Sequence, residues 1–170
     1  MAEPVIPNLL KTDLKILFVG INPGTRSAEL KHHFASPSNR FWRFLNDSGL
    51  TPTKFNPLED YKLLELGFGI TNIVSRTTAT AAELSSAELK EGARVLRNTI
   101  LQYRPQITAF LGKVIYQYFS GNKKINWGRQ ERSVVKGVQD FVLPNPSGLN
   151  RIPFPEQLQF FRELKSHLNL

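Results

Sequence analysis

Two short stretches carry the side chains best placed to do chemistry. The first is Gly20-Ile21-Asn22-Pro23-Gly24, which ends an apolar run. The second is Asn145-Pro146-Ser147-Gly148-Leu149-Asn150-Arg151, which ends another. A glycine-rich turn after a strand is the usual setting of a phosphate cradle, yet a P-loop needs Gly-Lys-Ser/Thr where this chain has Thr25-Arg26-Ser27. A dinucleotide fingerprint needs a third glycine opening a helix, which is missing too. Each turn presents an asparagine instead. A neutral amide cannot act as a strong base, but its oxygen can accept a hydrogen bond from water. Asn, Pro, Ser and Gly also dominate tight turns for backbone reasons, which would explain either turn alone. Two such turns at strand ends are harder to explain that way.

The elements that must position these turns alternate between strand and helix. Residues 14–20 form a short, nearly continuous apolar strand, as expected for burial on both faces. Residues 38–49 read as a helix with Ser38 as N-cap, Gly49 as stop, and Phe41, Phe44 and Leu45 on one face. Residues 58–67 read as a second helix and 69–74 as a short strand. The clearest helix runs from 86 to 103. Ser85 and Glu88 have capping-box spacing, and Leu89, Ala93, Leu96, Ile100 and Tyr103 form one apolar stripe before Pro105. A strand at 106–112 and a short helix at 113–120 follow. Two more strands are expected at 133–137 and 140–144, the first an antiparallel edge. Pro155 starts a final helix carrying Leu158, Phe161, Leu164 and Leu168. The alternation predicts a single three-layer α/β domain over 14–170, with a mainly parallel central sheet and helices on both faces. Residues 1–13, with Pro4 and Pro7, are expected to be a loosely tied N-terminal arm. In such sheets ligands sit beyond the carboxyl ends of the strands, where both asparagine turns fall.

Composition narrows the partners. The 170 residues suit one domain with a proper core. Apolar residues make up 41% and charged residues 21%, ordinary for a globular protein. With no cysteine, disulfides and thiolate metal sites are excluded. No run approaches a membrane span, and the start lacks a charged-then-apolar signal pattern. An intracellular protein is expected, in the cytoplasm of a prokaryote or the nucleus of a eukaryote. The formal charge of +8 fits either a solvated basic surface or a polyanionic partner, most often nucleic acid.

With both turns in view, the chain resembles the mismatch-specific uracil/thymine DNA glycosylases, within the uracil-DNA glycosylase superfamily. The family's first motif is matched by "GINPG" (20–24) and its second by "NPSGLNR" (145–151). Between them, "HHFASPSNRFW" (32–42) and "GITNIVSRTTATAAELSSAELKEGAR" (69–94) are also similar. The likeness runs from Leu14 to the last helix. It implies the superfamily's small parallel-sheet fold and a monomeric enzyme of base-excision repair. Such an enzyme flips a mispaired or damaged base out of double-stranded DNA and hydrolyses its N-glycosidic bond, leaving an abasic site. No metal or organic cofactor and no membrane are implied. Phosphate neutralisation then gives the positive charge a role.

The resemblance also implies roles. Asn22 positions the water that attacks the sugar as it becomes oxocarbenium-like, held by the rigid Pro23 and Gly24. Phe34 stacks on the flipped base, a tolerant contact because every base has a π-face. Gly20 and Ile21 wall the same pocket. Asn72 reads the base edge with its donor and acceptor, and Thr78 matches a threonine of the thymine-acting members. Asn145 stabilises charge on the leaving base. Leu149, between Gly148 and Asn150, is the apolar wedge that replaces the flipped nucleotide. Ser147 and Arg151 hold phosphates or the orphaned partner base. At Ser27 the thymine-acting members carry alanine and uracil-preferring bacterial members carry serine. Uracil opposite guanine is therefore the expected good substrate and thymine the poor one, with ethenocytosine or hypoxanthine as further candidates.

Other features rank lower. His32 and His33 suggest a metal pair, but adjacent side chains diverge and no cluster supports them, so a DNA-facing surface loop is expected. His167 is expected to be solvated, and Trp42 and Trp127 to pack. Ser147 lacks the Gly-x-Ser-x-Gly elbow of a serine hydrolase. The main alternative is a module that binds mispaired or damaged DNA without cutting it. A small-molecule enzyme using nucleotides is disfavoured by the missing phosphate fingerprints.

Overall fold

The parallel strands are short, mostly apolar and lie inside the molecule. A computed structural model describes residues 6–168. Its strands are β1 (Ile16–Gly20), β2 (Phe68–Asn72), β3 (Ile107–Leu111), β4 (Gly128–Arg129) and β5 (Gln139–Leu143), in the spatial order β2-β1-β3-β5-β4. β1 pairs in parallel with β2 and β3, and β3 with β5, while β4 is antiparallel to β5. The helices are α1 (Thr25–Leu30), α2 (Phe41–Asp47), α3 (Ser86–Tyr103), α4 (Lys113–Ser120) and α5 (Phe154–Ser166). Side chains alternate across the strands. Ile16, Phe18, Ile107, Ala109, Phe141 and Leu143 meet α2 and α5 on one face; Leu17, Val19, Phe110 and Val142 meet α3 and α4 on the other. The result is the expected three-layer α/β fold.

α3 follows its pattern closely. Ser85 Oγ accepts the Glu88 N–H, Glu88 reaches back to the Ser85 N–H, and Leu89, Ala93, Leu96 and Ile100 are buried. Gly92 lies at its closest approach to the chain leaving β2, where a Cβ would overlap the Ile73 carbonyl.

Four expectations need correction. Residues 58–67 form 3₁₀ turns over Pro57–Leu66, capped by Asn56 and ended by Gly67 at φ +83°. Leu58 and Tyr61 are exposed there, so no continuous apolar stripe holds a regular helix. Ser38 does not cap α2; Asn39 Oδ1 accepts the Phe41 N–H at 2.9 Å. Residues 133–137 are not a strand. Val134 N–H donates to the Asp140 carboxylate, Val138 N–H closes a turn on Val135, and the edge falls to β4. Lastly, the stretch 6–13 is tied rather than loose. Ile6 and Leu9 are buried, and Leu9 exchanges backbone hydrogen bonds of 2.9 and 3.0 Å with Ile70. Residues 1–5 of the expected arm lie outside the described residues.

Asp140 is 1% exposed and accepts hydrogen bonds from Tyr116 Oη at 2.8 Å and Val134 N at 3.0 Å. Burial, only partly offset by these donors, raises its pKa above the ordinary 3.8. The folded state then binds the proton more tightly than the unfolded chain. The stability this group contributes falls as pH rises from 3.8 through the raised value. Asp140→Asn lacks that decline, so across this window the variant gains stability relative to wild type. Urea unfolding of both proteins over a pH series measures it; a pH-independent difference would contradict the raised value.

Candidate active site

Beyond the carboxyl ends of β1, β2 and β3, both asparagine turns line one cleft of about 500 Å³. The first turn is held by continuing the β1–β2 pairing past both strands. Ile73 N–H donates to Gly20 O at 2.9 Å, Val74 N–H to Ile21 O at 2.9 Å, and Thr78 N–H to Pro23 O at 3.2 Å. Asn22 Nδ2 then donates to Arg76 O at 2.9 Å and to Thr78 Oγ1 at 2.7 Å. Thr78 spends its hydroxyl proton on Thr80 O at 2.7 Å, so toward Asn22 it can only accept. That settles which end of the amide is nitrogen. Asn22 Oδ1 receives no hydrogen bond among the described residues and remains an open acceptor on a cleft-lining side chain.

The second turn has the opposite polarity. Asn145 Oδ1 accepts the Ser147 N–H at 2.9 Å, and Asn150 Nδ2 braces the Asn145 carbonyl at 2.9 Å. Asn145 Nδ2 has no hydrogen-bond partner among the described residues. Leu149 stands out at 85% exposure, its N–H bound to Ser147 Oγ at 3.2 Å. Gly148 does not line the cleft: a Cβ there would come within 2.8 Å of Ser38, so it packs the turn against the 36–40 loop. Arg40 N–H donates to Pro146 O across that contact at 2.9 Å. Arg151 also lies outside the lining, with an exposed side chain that makes no hydrogen bond or ion pair among the described residues.

Asn72 closes β2 opposite Gly20. A Cβ on Gly20 would fall 2.6 Å from Asn72 Oδ1 and 3.5 Å from the Phe34 ring, so glycine makes room for both. Phe34 has φ +51° and lies against Phe41, ring centroids 4.1 Å apart. Its loop is pinned from three sides. Ala35 N–H donates to Ser27 Oγ at 3.0 Å. His33 N–H and His32 Nδ1 each bond the buried Asp60 carboxylate at 3.0 Å. His33 Nε2–H donates to Pro7 O at 2.9 Å.

Of the two histidines expected on a DNA-facing surface loop, His33 is instead 2% exposed and anchors the loop from within, while the His32 side chain is 29% exposed. Burial lowers its pKa below the ordinary 6.5, so it is neutral near pH 7. His167 is half-buried rather than solvated, its Nδ1–H bound to Glu163 O at 2.8 Å and its ring edge-on to Phe141. Trp42 is buried, and Trp127 lies beneath Lys113 and against Phe160, both as packing residues.

Among the described residues no Asp, Glu, Lys or Arg lines the cleft, and His33 is its titratable group. The site is a neutral, amide-rich pocket with an aromatic wall, an open acceptor on one side and an open donor on the other. It can orient a water and polarise a heterocycle, but it holds no anionic base. His33, Asn39 and Asn150 also line the cleft beyond the expected residues; of these, Asn150 lies in the second turn, five positions after Asn145. A second cavity of about 620 Å³, between residues 6–8, β2 and α3, contains neither Asn22 nor Asn145.

The chain matches the family model described as the Uracil DNA glycosylase superfamily over residues 7–169. Among solved structures it is similar to the solution NMR structure of a candidate uracil DNA glycosylase from Methanosarcina acetivorans. The TM-score is 0.61 and the identity 20%, over 94% of this chain and 96% of that chain. At that identity the likeness speaks for the fold.

Ser27 is 7% exposed, and its oxygen satisfies the buried Ala35 N–H. Ser27→Ala orphans that donor and should cost about 1–3 kcal/mol of stability. The shift of the urea midpoint checks it; an unchanged midpoint would mean the Phe34 loop is held without this bond.

Proposed function

The chain belongs to the uracil-DNA glycosylase superfamily, and from that premise we propose that it is a monofunctional DNA glycosylase of the mismatch-specific uracil/thymine type, acting best on uracil opposite guanine. The observation that carries this reading is the Asn22 amide, tied at its nitrogen and open at its oxygen, in a cleft without a charged base.

A flipped uracil enters the cleft against Phe34, its edge facing Asn72, whose amide has no hydrogen-bond partner among the described residues. Asn145 Nδ2 donates to a base carbonyl oxygen and stabilises negative charge as the C1′–N1 bond breaks. The sugar becomes cationic, so a water held by Asn22 Oδ1 needs placement more than deprotonation. Its oxygen bonds to C1′, one of its protons leaves to the base, and a free base and an abasic site result. Thr78 acts behind Asn22, because its hydroxyl is consumed in orienting the amide. Ser27 crowds the 5-methyl of thymine, and one methyl in a fitted pocket is worth about 1–3 kcal/mol of discrimination. Double-stranded DNA is the partner. Arg26, Arg40 and Arg151 neighbour cleft residues in sequence and supply phosphate contacts, and Ser147 lies at the same edge while Gly148 seats its turn on Ser38.

The test is base release from labelled duplexes bearing G·U, G·T or A·U and from single-stranded uracil, followed by alkaline cleavage of abasic sites. G·U should be the best substrate. Asn22→Ala should slow single-turnover release by about 10²–10⁴ while keeping its affinity for a duplex with a non-cleavable uracil analogue. A variant that cuts at wild-type speed would remove Asn22 from catalysis. Binding without cutting by the wild type itself would favour the non-catalytic module.

Leu149, exposed at the cleft edge, is the wedge of this reading. Flipping costs a few kcal/mol, roughly, and less for an unpaired base. Leu149→Ala should therefore lose rate mainly on paired duplex and little on single strands. Equal losses on both would assign Leu149 another task.

A further inference from the structure

Asn22 is oriented by a main-chain carbonyl, that of Arg76, which lies in the loop between β2 and α3. Such a carbonyl is only as fixed as the peptide that carries it. The Arg76 side chain is gripped at its far end. Nε donates to Glu88 Oε1 at 2.6 Å, and Nη2 donates to Glu88 Oε2 at 3.1 Å and to Glu83 O at 3.2 Å. Glu88 is itself immobilised, because Oε2 also accepts the Ser85 N–H at 2.8 Å in the capping box of α3. α3 is seated on the β2 exit by Gly92. A continuous set of bonds thus runs from the first turn of α3, through Arg76, to the amide of Asn22. The Arg76 guanidinium holds Glu88 down to a pKa of about 2, so the pair stays charged at any working pH.

We infer that the Arg76–Glu88 pair is a positioning device: by anchoring the Arg76 peptide to the N-terminus of α3, it fixes the carbonyl that aims Asn22. This rests on the reading of Asn22 as the residue that holds the water. Neither Arg76 nor Glu88 lines the cleft. The pair is half-exposed, with side-chain exposures of 51% and 32%, so it adds little to global stability. Its contribution is geometric, and misplacing a reacting group by even an ångström is expensive in rate.

The experiment uses Glu88→Gln and Arg76→Ala, each alone and combined with Asn22→Ala. Gln keeps the capping box but loses the charge, and Ala keeps the Arg76 carbonyl but releases its anchor. Three quantities are read: single-turnover base release from a G·U duplex, affinity for a duplex with a non-cleavable uracil analogue, and the urea midpoint. Each single variant should slow release by roughly tenfold, with affinity within about twofold of wild type and the midpoint unchanged. In the Asn22→Ala background neither should slow release further, because the device acts through Asn22. Wild-type release by both single variants, with Asn22→Ala inactive, overturns the inference and leaves the role of Asn22 standing. Lost affinity in Arg76→Ala with normal release in Glu88→Gln overturns it in favour of a phosphate contact. Wild-type release by Asn22→Ala removes both the inference and the reading beneath it.

Discussion

Residues 73–78 extend the hydrogen bonding of β1 with β2 beyond the ends of both strands, and the site depends on that splice. Three backbone bonds, from Ile73, Val74 and Thr78 to Gly20, Ile21 and Pro23, lay one exit segment along the other. They bring the Arg76 carbonyl and the Thr78 hydroxyl to the Asn22 nitrogen. The splice needs two missing side chains. Gly20 leaves space for Asn72 and Phe34, and Gly92 lets α3 close on the Ile73 carbonyl. A methyl group on Gly20 would displace the Asn72 amide, and one on Gly92 would push α3 off the Ile73 carbonyl.

Among the described residues the cleft lining carries amides and no carboxylate, which has consequences for the proposed reaction. Asn22 and Asn145 each give one end of the amide to the protein, while the other end has no partner among the described residues. Asn22 ties its donor and offers its acceptor; Asn145 ties its acceptor and offers its donor. A buried carboxylate would cost far more to desolvate than a hydrogen-bonded amide. It would also repel a base leaving with negative charge, whereas neutral dipoles at fixed positions do not. In the proposed hydrolysis the weakness of an amide as a base matters little, because the sugar itself becomes the electrophile. What the site must supply is placement, and placement comes from hydrogen bonds outside it.

The aromatic wall follows the same logic. Phe34 sits at positive φ, a conformation a non-glycine residue keeps only when its surroundings enforce it. Ser27, Asp60 and Pro7 supply that enforcement from three separate elements. The second turn is likewise fastened from outside, by Arg40 on Pro146 and by the close seat of Gly148 on Ser38.

The fold was legible in the sequence because burial writes it there. Continuous apolar runs became β1, β3 and β5, and the stripe on α3 with its Ser85–Glu88 box became a helix over the expected residues. The expected strand at 133–137 failed because a buried carboxylate, Asp140, captured its backbone, which no local pattern reveals. Of the expected site residues, Gly20, Ile21, Asn22, Ser27, Phe34, Asn72, Thr78, Asn145, Ser147 and Leu149 meet in one cleft, while Gly148 and Arg151 stand outside its lining. The chain by itself thus determined which side chains are at hand, since residue type and strand-end position are local properties. Only the tertiary structure decided how each is used. Asn22 finds its partners 54 and 56 positions away, and those distant partners occupy its nitrogen and leave its oxygen open among the described residues.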